Sequence, residues 1–261
     1  KFSWLGSWPT VCMKIEKINE VYMRVDCDRS TAMSLSDYFT FEVPGARFMP
    51  AYRNRIWDGK IRLFSVTTGE LYVGLLSYLL KWSKEYGEEY ELDDSLQVNS
   101  NLSKENLSKF VKSLKIKSQG KSITIRDYQI DAIDYGIRNN RALLLSPTAS
   151  GKSLIIYSLV RYYNLLLRDE NKKILILVPT TSLVEQMYSD FLDYGWLEYH
   201  MQKIYQGHDK KVEKDVVIST WQSIYKMPKK YFEQFGCVFG DEAHLFKAKS
   251  LTSIMTKLHL C

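Results

Sequence analysis

The stretch ALLLSPTASGKSLIIYSL, residues 142–159, decides the fold. Its apolar run from Ala142 to Leu145 reads as a buried strand. A loop of small residues follows, and Lys152-Ser153 opens a segment with helical spacing. Strand, small-residue loop and helix start together form a phosphate cradle, because free backbone N–H groups and the helix dipole attract an anion there. Gly151 lets the backbone approach closely, Lys152 can reach the β- and γ-phosphates, and the Ser153 hydroxyl can ligand Mg2+. The usual pattern is G-x-x-x-x-G-K-[ST], and Ser146 stands where its first glycine should be. A chance Gly-Lys-Ser could equally cap a helix, so the surrounding chain has to decide.

Around this loop, apolar runs alternate with helical segments. RDYQIDAIDYGIRN (126–139) has helical spacing through Ile130, Ile133 and Ile137. RALLLSP (141–147), KKILILVP (172–179), DVVIST (215–220) and the run inside CVFGDEAH (237–244) read as strands. GKSLIIYSLVRYYNLLL (151–167) and TSLVEQMYSDFLDYG (181–195) read as helices. Such alternation predicts an α/β fold, a parallel sheet with helices on both faces. Ligands of such sheets sit at the carboxyl ends of the strands, where Pro147, Pro179, Thr220 and Asp241 fall. An acid at Asp241 can hold the Mg2+ of a nucleoside triphosphate, and the adjacent Glu242 can orient an attacking water. Two solvated acids in a strand-end turn are the bland alternative, weakened by Lys152 standing ninety residues earlier in the same pattern.

These motifs carry a resemblance. DEAH, Asp241 to His244, resembles motif II of superfamily 2 helicases and translocases, and SPTASGKS (146–153) resembles their motif I. In that superfamily the first loop glycine is often replaced. The resemblance implies a RecA-like fold that hydrolyses ATP with Mg2+, with Pro147, Thr148, Ala149, Ser150, Gly151, Lys152 and Ser153 around the phosphates. IRDYQIDAI (125–133) resembles the Q motif, implying that Gln129 reads the adenine edge with Arg126 and Tyr128 near the base. LVPTTSLVEQM (177–187) resembles motif Ia, implying that Pro179, Thr180 and Thr181 line a nucleic-acid backbone. ISTWQS (218–223) takes the place of motifs Ib and Ic, with Thr220, Trp221 and Gln222, although Trp221 could equally be core. His244 is implied to couple the ATP site to a second motor domain.

Before residue 98 the texture differs. EKINEVYMRVDCD (16–28), FTFEV (39–43) and GKIRLFSV (59–66) are strand-like, and YVGLLSYLLKWSKEYG (72–87) is a helix with a glycine stop. These predict a small α+β domain. Within it, ARFMPAYRNRIWDGKIRLFS (46–65) interleaves Arg47, Arg53, Arg55, Lys60 and Arg62 with Phe48, Tyr52, Trp57 and Phe64. Cations there can pair with phosphates while rings stack on exposed bases. The alternative is a β-hairpin turning at Asp58-Gly59, with Trp57 buried and the cations merely solvated. This stretch and VPTTSLVEQM resemble the UvsW-type helicases of T-even bacteriophages. That resemblance implies action on branched DNA in recombination and repair, removal of RNA from R-loops, and the cytoplasm of an infected bacterium.

The expected organisation is a non-native extension over 1–12 before Met13, a nucleic-acid-binding domain over 13–98, a connector with a short helix over 99–122, and the first RecA-like ATPase domain from 123 to 261. Ser103 is the expected cap of that short helix. Bulk properties agree: 261 residues with 45% hydrophobic and 25% charged side chains bury a core unaided, and a net charge of +6 permits an anionic partner. Cysteines at 12, 27, 237 and 261 form no metal-spaced set and fit a reducing compartment. The longest apolar run, from Leu71, is too short to span a bilayer. SLTSIMTKLHLC (250–261) is followed by no motif III or arginine-rich motif VI, so a second RecA-like domain is an expected partner, and weak turnover is expected of the chain by itself. A DNA helicase, an RNA helicase or restriction-type translocase, and a binding-only module all remain open at this point.

Overall fold

A computed structural model gives the fold and describes residues 13–19, 21–96, 103–139, 141–147, 150–245 and 249–258. The expected extension over 1–12 lies outside the described residues, as do Thr148 and Ala149. The chain divides into two compact units, Lys1–Gln97 and Val98–Cys261.

The first unit runs β1 (Met13–Lys17), β2 (Tyr22–Asp26), α1 (Arg29–Tyr38), β3 (Thr40–Glu42), α2 (Pro50–Arg53), β4 (Lys60–Arg62), β5 (Glu70–Tyr72), α3 (Leu76–Tyr86) and β6 (Tyr90–Leu92). Its main sheet has the order β5-β2-β1-β6, antiparallel except for the parallel β1–β6 pair. Met13, Ile15, Met23 and Val25 alternate onto one face and meet Leu35 of α1 with Leu79 and Trp82 of α3. Asp28 starts α1 by accepting the N–H groups of Ser30 and Thr31. Gly87, at φ 73°, ends α3 in the left-handed conformation that glycine adopts freely. The α+β expectation holds. The 46–65 stretch is not a tight hairpin at Asp58-Gly59, however. β3 pairs with β4 across a long loop that holds α2, and Trp57 is only half-buried, donating its indole N–H to Lys60 O at 2.8 Å.

The second unit opens with α4 (Lys104–Ser113) and the strand pair β7 (Lys117–Ser118) and β8 (Lys121–Ser122). Ser103 caps α4, its hydroxyl accepting from Asn106 N at 3.2 Å. This expected connector is built into the unit. Leu107 and Val111, one helical turn apart, are buried against Ile133 and Ile137. The polar composition of 99–110 had hidden that stripe. Asp193 accepts from Ser118 Oγ and Gln119 N at 2.9 and 2.8 Å, tying the β7–β8 turn down.

There follow α5 (Asp127–Asn139), α6 (Lys152–Leu166), β9 (Lys173–Val178), α7 (Thr181–Asp193), β10 (Met201–Ile204), β11 (Val216–Thr220), α8 (Trp221–Ile224), α9 (Lys229–Phe232), β12 (Phe235–Gly240) and α10 (Lys249–Lys257). The four strands β10-β11-β9-β12 are all parallel. Period-two alternation along β9 sends Ile174, Ile176 and Val178 to one face and Leu175 and Leu177 to the other. α6 and α7 cover the first face through Leu154, Tyr157, Val184 and Phe191. α8, α9 and α10 cover the second through Trp221, Phe232 and Leu251. Fully buried apolar strands are what covering on both faces requires, and the fold is the RecA-like α/β arrangement.

Two local differences from expectation stand out. The short strand β10 was not foreseen, since MQKI offers too few residues for a periodic signal. Conversely, residues 141–147 form no strand: Leu143 is 64% and Leu145 89% exposed, and only Leu144 packs inward. An apolar run specifies burial but cannot name the ladder partner a strand needs, and this segment has none among the described residues. Among the described residues, no helix is long and apolar enough to cross a membrane.

Candidate nucleotide site

Gly151 begins α6 at φ 81°, a conformation that side-chain-bearing residues avoid. A Cβ there would stand 2.5 Å from Gln129 Nε2, so the backbone closes the position to other residues and a side chain would in addition displace the Gln129 amide from its bonds. The first helical N–H groups with a backbone acceptor are those of Leu154 and Ile155, both bonded to Gly151 O. Among the described residues, those of Gly151, Lys152 and Ser153 have no backbone acceptor, the arrangement in which a helix N-terminus receives an anion. Lys152 is half-buried in the first turn, and so is Ser153.

The loop is held from α5. Gln129, 5% exposed, donates from Nε2 to Ser150 O at 2.9 Å and accepts Arg126 N at 3.0 Å. Tyr128 donates its hydroxyl to the same Ser150 O at 3.0 Å, and Arg126 Nη1 stands 3.5 Å from that hydroxyl. The Ser146 and Ser150 hydroxyls bond each other across the loop, so the residue replacing the first glycine has a partner. Neither the Ser146–Ser150 bond nor the convergence on Ser150 O was foreseen. A serine at both ends of a five-residue loop was the available signal for the first, while backbone carbonyls leave none.

Across from the loop, β12 delivers Asp241 and Glu242. Asp241 N bonds Leu177 O of β9 at 2.9 Å, and Asp241 Oδ1 accepts Glu242 N at 2.9 Å. Glu242 is held at φ 54°, a strained conformation for a residue with a Cβ. That turn aims its carboxylate back over the loop. Oε1 lies 3.3 Å from Lys152 Nζ, while Oε2 lies 3.2 Å from His244 Nδ1. Lys152, Glu242 and His244 therefore form one chain of contacts between residues ninety apart, the lysine–glutamate pair about two-thirds buried and the histidine 70% exposed.

The expected nucleic-acid residues split. Thr180 caps α7 through Leu183 N at 3.3 Å, Thr181 is exposed beside it, and Gln222 donates to Pro179 O at 3.2 Å. Pro179, Thr180, Thr181 and Gln222 thus share one rim at the carboxyl ends of β9 and β11. Trp221 does not belong to it. It is 4% exposed in the core under α8 and cannot stack on a strand, because the helix that starts at residue 221 turns its apolar face to the sheet. Thr220 is also buried and pairs with Ser223 Oγ at 2.7 Å. In the first unit, Arg53, Arg55 and Lys60 are all exposed.

Comparison with known proteins supplies the family. Residues 122–260 match the family of the type III restriction enzyme res subunit, and residues 13–93 match the N-terminal family of the DNA helicase UvsW. The chain is 40% identical over 245 residues to the ATP-dependent DNA helicase uvsW of Enterobacteria phage T4, which covers 92% of this chain and 48% of that protein. It thus spans about half the length of that relative. It is 25% identical over 191 residues, 69% of this chain and 39% of the relative, to the DNA 3'-5' translocase XPB2 of Sulfurisphaera tokodaii. A crystal structure of the UvsW helicase from bacteriophage T4 superimposes with a TM-score of 0.83 at 38% identity, covering 96% of this chain and 89% of that one. The chain therefore belongs to the UvsW helicase family, joining a UvsW-type N-terminal module to a res-subunit domain of the superfamily 2 kind.

Proposed function

We propose that the chain is the nucleotide-binding part of an ATP-dependent DNA helicase acting on branched DNA in recombination, replication restart and repair. The observation that carries this reading is the 3.3 Å approach of Lys152 Nζ to Glu242 Oε1, which sets a phosphate-binding cation against a water-orienting carboxylate. With ATP bound, Lys152 leaves Glu242 for the β- and γ-phosphates, and Glu242 is freed to orient the attacking water. Ser153 and Asp241 would hold Mg2+, which would offset charge developing on the phosphate oxygens. A hydroxyl in the first turn of α6 and a carboxylate just after β12 are oxygen donors of the kind that ion takes, and it needs few protein ligands. Gln129 retains one N–H and one lone pair beyond its bonds to Ser150 and Arg126, and these serve the adenine edge beside Arg126 and Tyr128. Pro147, Thr148, Ala149, Ser150 and Gly151 complete the phosphate cradle.

DNA lies along Pro179, Thr180, Thr181 and Gln222 in the second unit and on Arg53, Arg55 and Lys60 in the first. His244, exposed beside Glu242, passes the nucleotide state to a second RecA-like domain. RNA displaced from R-loops and the cytoplasm of a phage-infected bacterium complete this reading. A restriction-type translocase is the second reading, favoured by the res-subunit match over 122–260.

Titration with a fluorescent ATP analogue tests the site. Lys152→Ala abolishes detectable binding, and unaltered affinity would sink the assignment. Glu242→Gln in a chain that carries both motor domains keeps ATP bound and stalls hydrolysis. Turnover at the unsubstituted rate would remove Glu242 from the water-positioning role.

A further inference from the structure

The loop between β3 and β4 encloses an open cleft of about 880 Å³ in the first unit. That volume lies within the range that takes a small ligand. Over residues 46–62 the loop carries five cations, Arg47, Arg53, Arg55, Lys60 and Arg62, against the single carboxylate of Asp58. Arg62 consumes that carboxylate at 2.5 Å, leaving Arg53 and Arg55 with no acidic partner among the described residues. The wall is not only cationic: Trp57 and Tyr52 present ring surface, and Ile56 is 79% exposed between Arg55 and Trp57.

Two backbone features shape this wall. Arg55 sits at φ 56°, a left-handed conformation that a side-chain-bearing residue adopts only when its surroundings impose it. Gly59, at φ 79°, leaves room for the Tyr52 ring, whose carbons would lie 3.1 Å from a Cβ at that position. A solvated cationic loop requires neither a strained arginine nor an isoleucine held in water. Guanidinium groups, ring surface and an apolar tip that line one cleft match one ligand chemistry, a phosphate joined to a flat base.

We propose that this cleft binds an unpaired nucleotide of the DNA substrate, Arg53 and Arg55 holding the flanking phosphates while Trp57, Tyr52 and Ile56 contact the base. The inference rests on the helicase reading only in taking DNA as the ligand. A duplex offers phosphates alone, whereas a branch point offers an unpaired base too, so the cleft favours DNA with single-stranded character. Stacking of this type is tolerant of sequence, because every base has a flat face.

The test uses the full chain without ATP and a DNA fork bearing a six-nucleotide single-stranded tail. The tail carries either normal bases or abasic sites, and affinity is measured by fluorescence anisotropy across a salt series. The base-bearing tail binds at least about fivefold more tightly than the abasic one, the low end of base–aromatic stacking. Arg53→Ala with Arg55→Ala weakens both tails and lowers the salt slope by about 1.4, two phosphates at about 0.7 each. Equal affinity for the two tails overturns the proposal. So does an unchanged salt slope in the double variant when its thermal unfolding matches that of the unsubstituted chain. A chain that binds ATP but does not distinguish the tails loses only this cleft. One that distinguishes them but does not bind ATP loses only the motor reading.

Discussion

The phosphate loop of the second unit and the arginine loop of the first both set cations beside a left-handed glycine, Gly151 in one and Gly59 in the other. In the phosphate loop, Ser150 O takes two side-chain hydrogen bonds and Lys152 rests 3.3 Å from Glu242. In the arginine loop, Arg53 and Arg55 face solvent, and among the described residues only Arg62 and Lys60 of its cations approach carboxylates, Lys60 at 3.9 Å. The difference teaches that a site for one small ligand is held by directional bonds from several elements. A cleft for one unit of a polyanion leaves its cations unspent instead and adds ring and aliphatic surface for the base.

The sharpest way to break the comparison is to fill the closed position. Gly151→Ala meets Gln129 Nε2 and a left-handed backbone at once. The backbone conformation costs about 1–2 kcal/mol and a displaced, unsatisfied Gln129 about 1–3 kcal/mol. Nucleotide affinity therefore falls on the order of a hundredfold or more, read by the same fluorescent titration, while DNA affinity without ATP stays at the unsubstituted value. A normal nucleotide affinity would show that the loop moves freely and that its bonds do not hold it.

Gln129→Ala is the next step down. It leaves Ser150 O with Tyr128 alone and Arg126 N without its acceptor. Losing bonds of this type costs about 1–3 kcal/mol, so nucleotide affinity drops roughly tenfold. Gln129→Glu behaves no better, because a carboxylate cannot donate to Ser150 O. Full rescue by Gln129→Glu would mean that the side chain acts only as an acceptor.

The two loops also differ in how far the sequence made them legible. Gly151, Lys152, Ser153, Asp241 and Glu242 could be read at once, because phosphate chemistry demands those residue types at those places on strand ends and helix starts. The parallel sheet followed from KILILV and VVIST, whose unbroken apolar runs require two covered faces. The ALLLS segment misled for the same reason, since composition carries no information about a ladder partner. Trp221 was ambiguous because the residue that opens a helix can face either way, and only the sheet beneath it fixes which. In the arginine loop nothing but composition was legible. The long β3–β4 crossing, the strained Arg55 and the Arg62–Asp58 pair depend on the loop's path, which no spacing rule specifies.

Charge reversal tests whether the arginine loop is in fact unspent. Arg53→Glu with Arg55→Glu weakens DNA binding and flattens the salt dependence by about 1.4–1.8 in slope, according to whether the contacted phosphates are single- or double-stranded. Nucleotide titration of the same variant stays at the unsubstituted value, which separates the two loops in one protein. An unchanged slope would return the loop to a merely solvated surface.

The smallest effect expected comes from the one cation that the arginine loop does spend. The Arg62 guanidinium, with help from Lys60 N, holds the Asp58 carboxyl below its ordinary range. A depressed carboxylate favours the folded state above its ordinary pKa, and that contribution is lost as pH falls through the lowered value. At neutral pH the pair is therefore fully charged. Because it is exposed, salt screens it and its effect on stability is slight. Asp58→Asn removes the charge without the shape and releases Arg62 to the DNA. Binding tightens a fewfold at low salt, and the salt slope steepens by about 0.7–0.9, one additional phosphate. Thermal unfolding at neutral pH barely moves. If Asp58→Asn weakens DNA binding instead, the Arg62–Asp58 pair shapes the loop, and the arginine loop would then be held by a directional bond as the phosphate loop is.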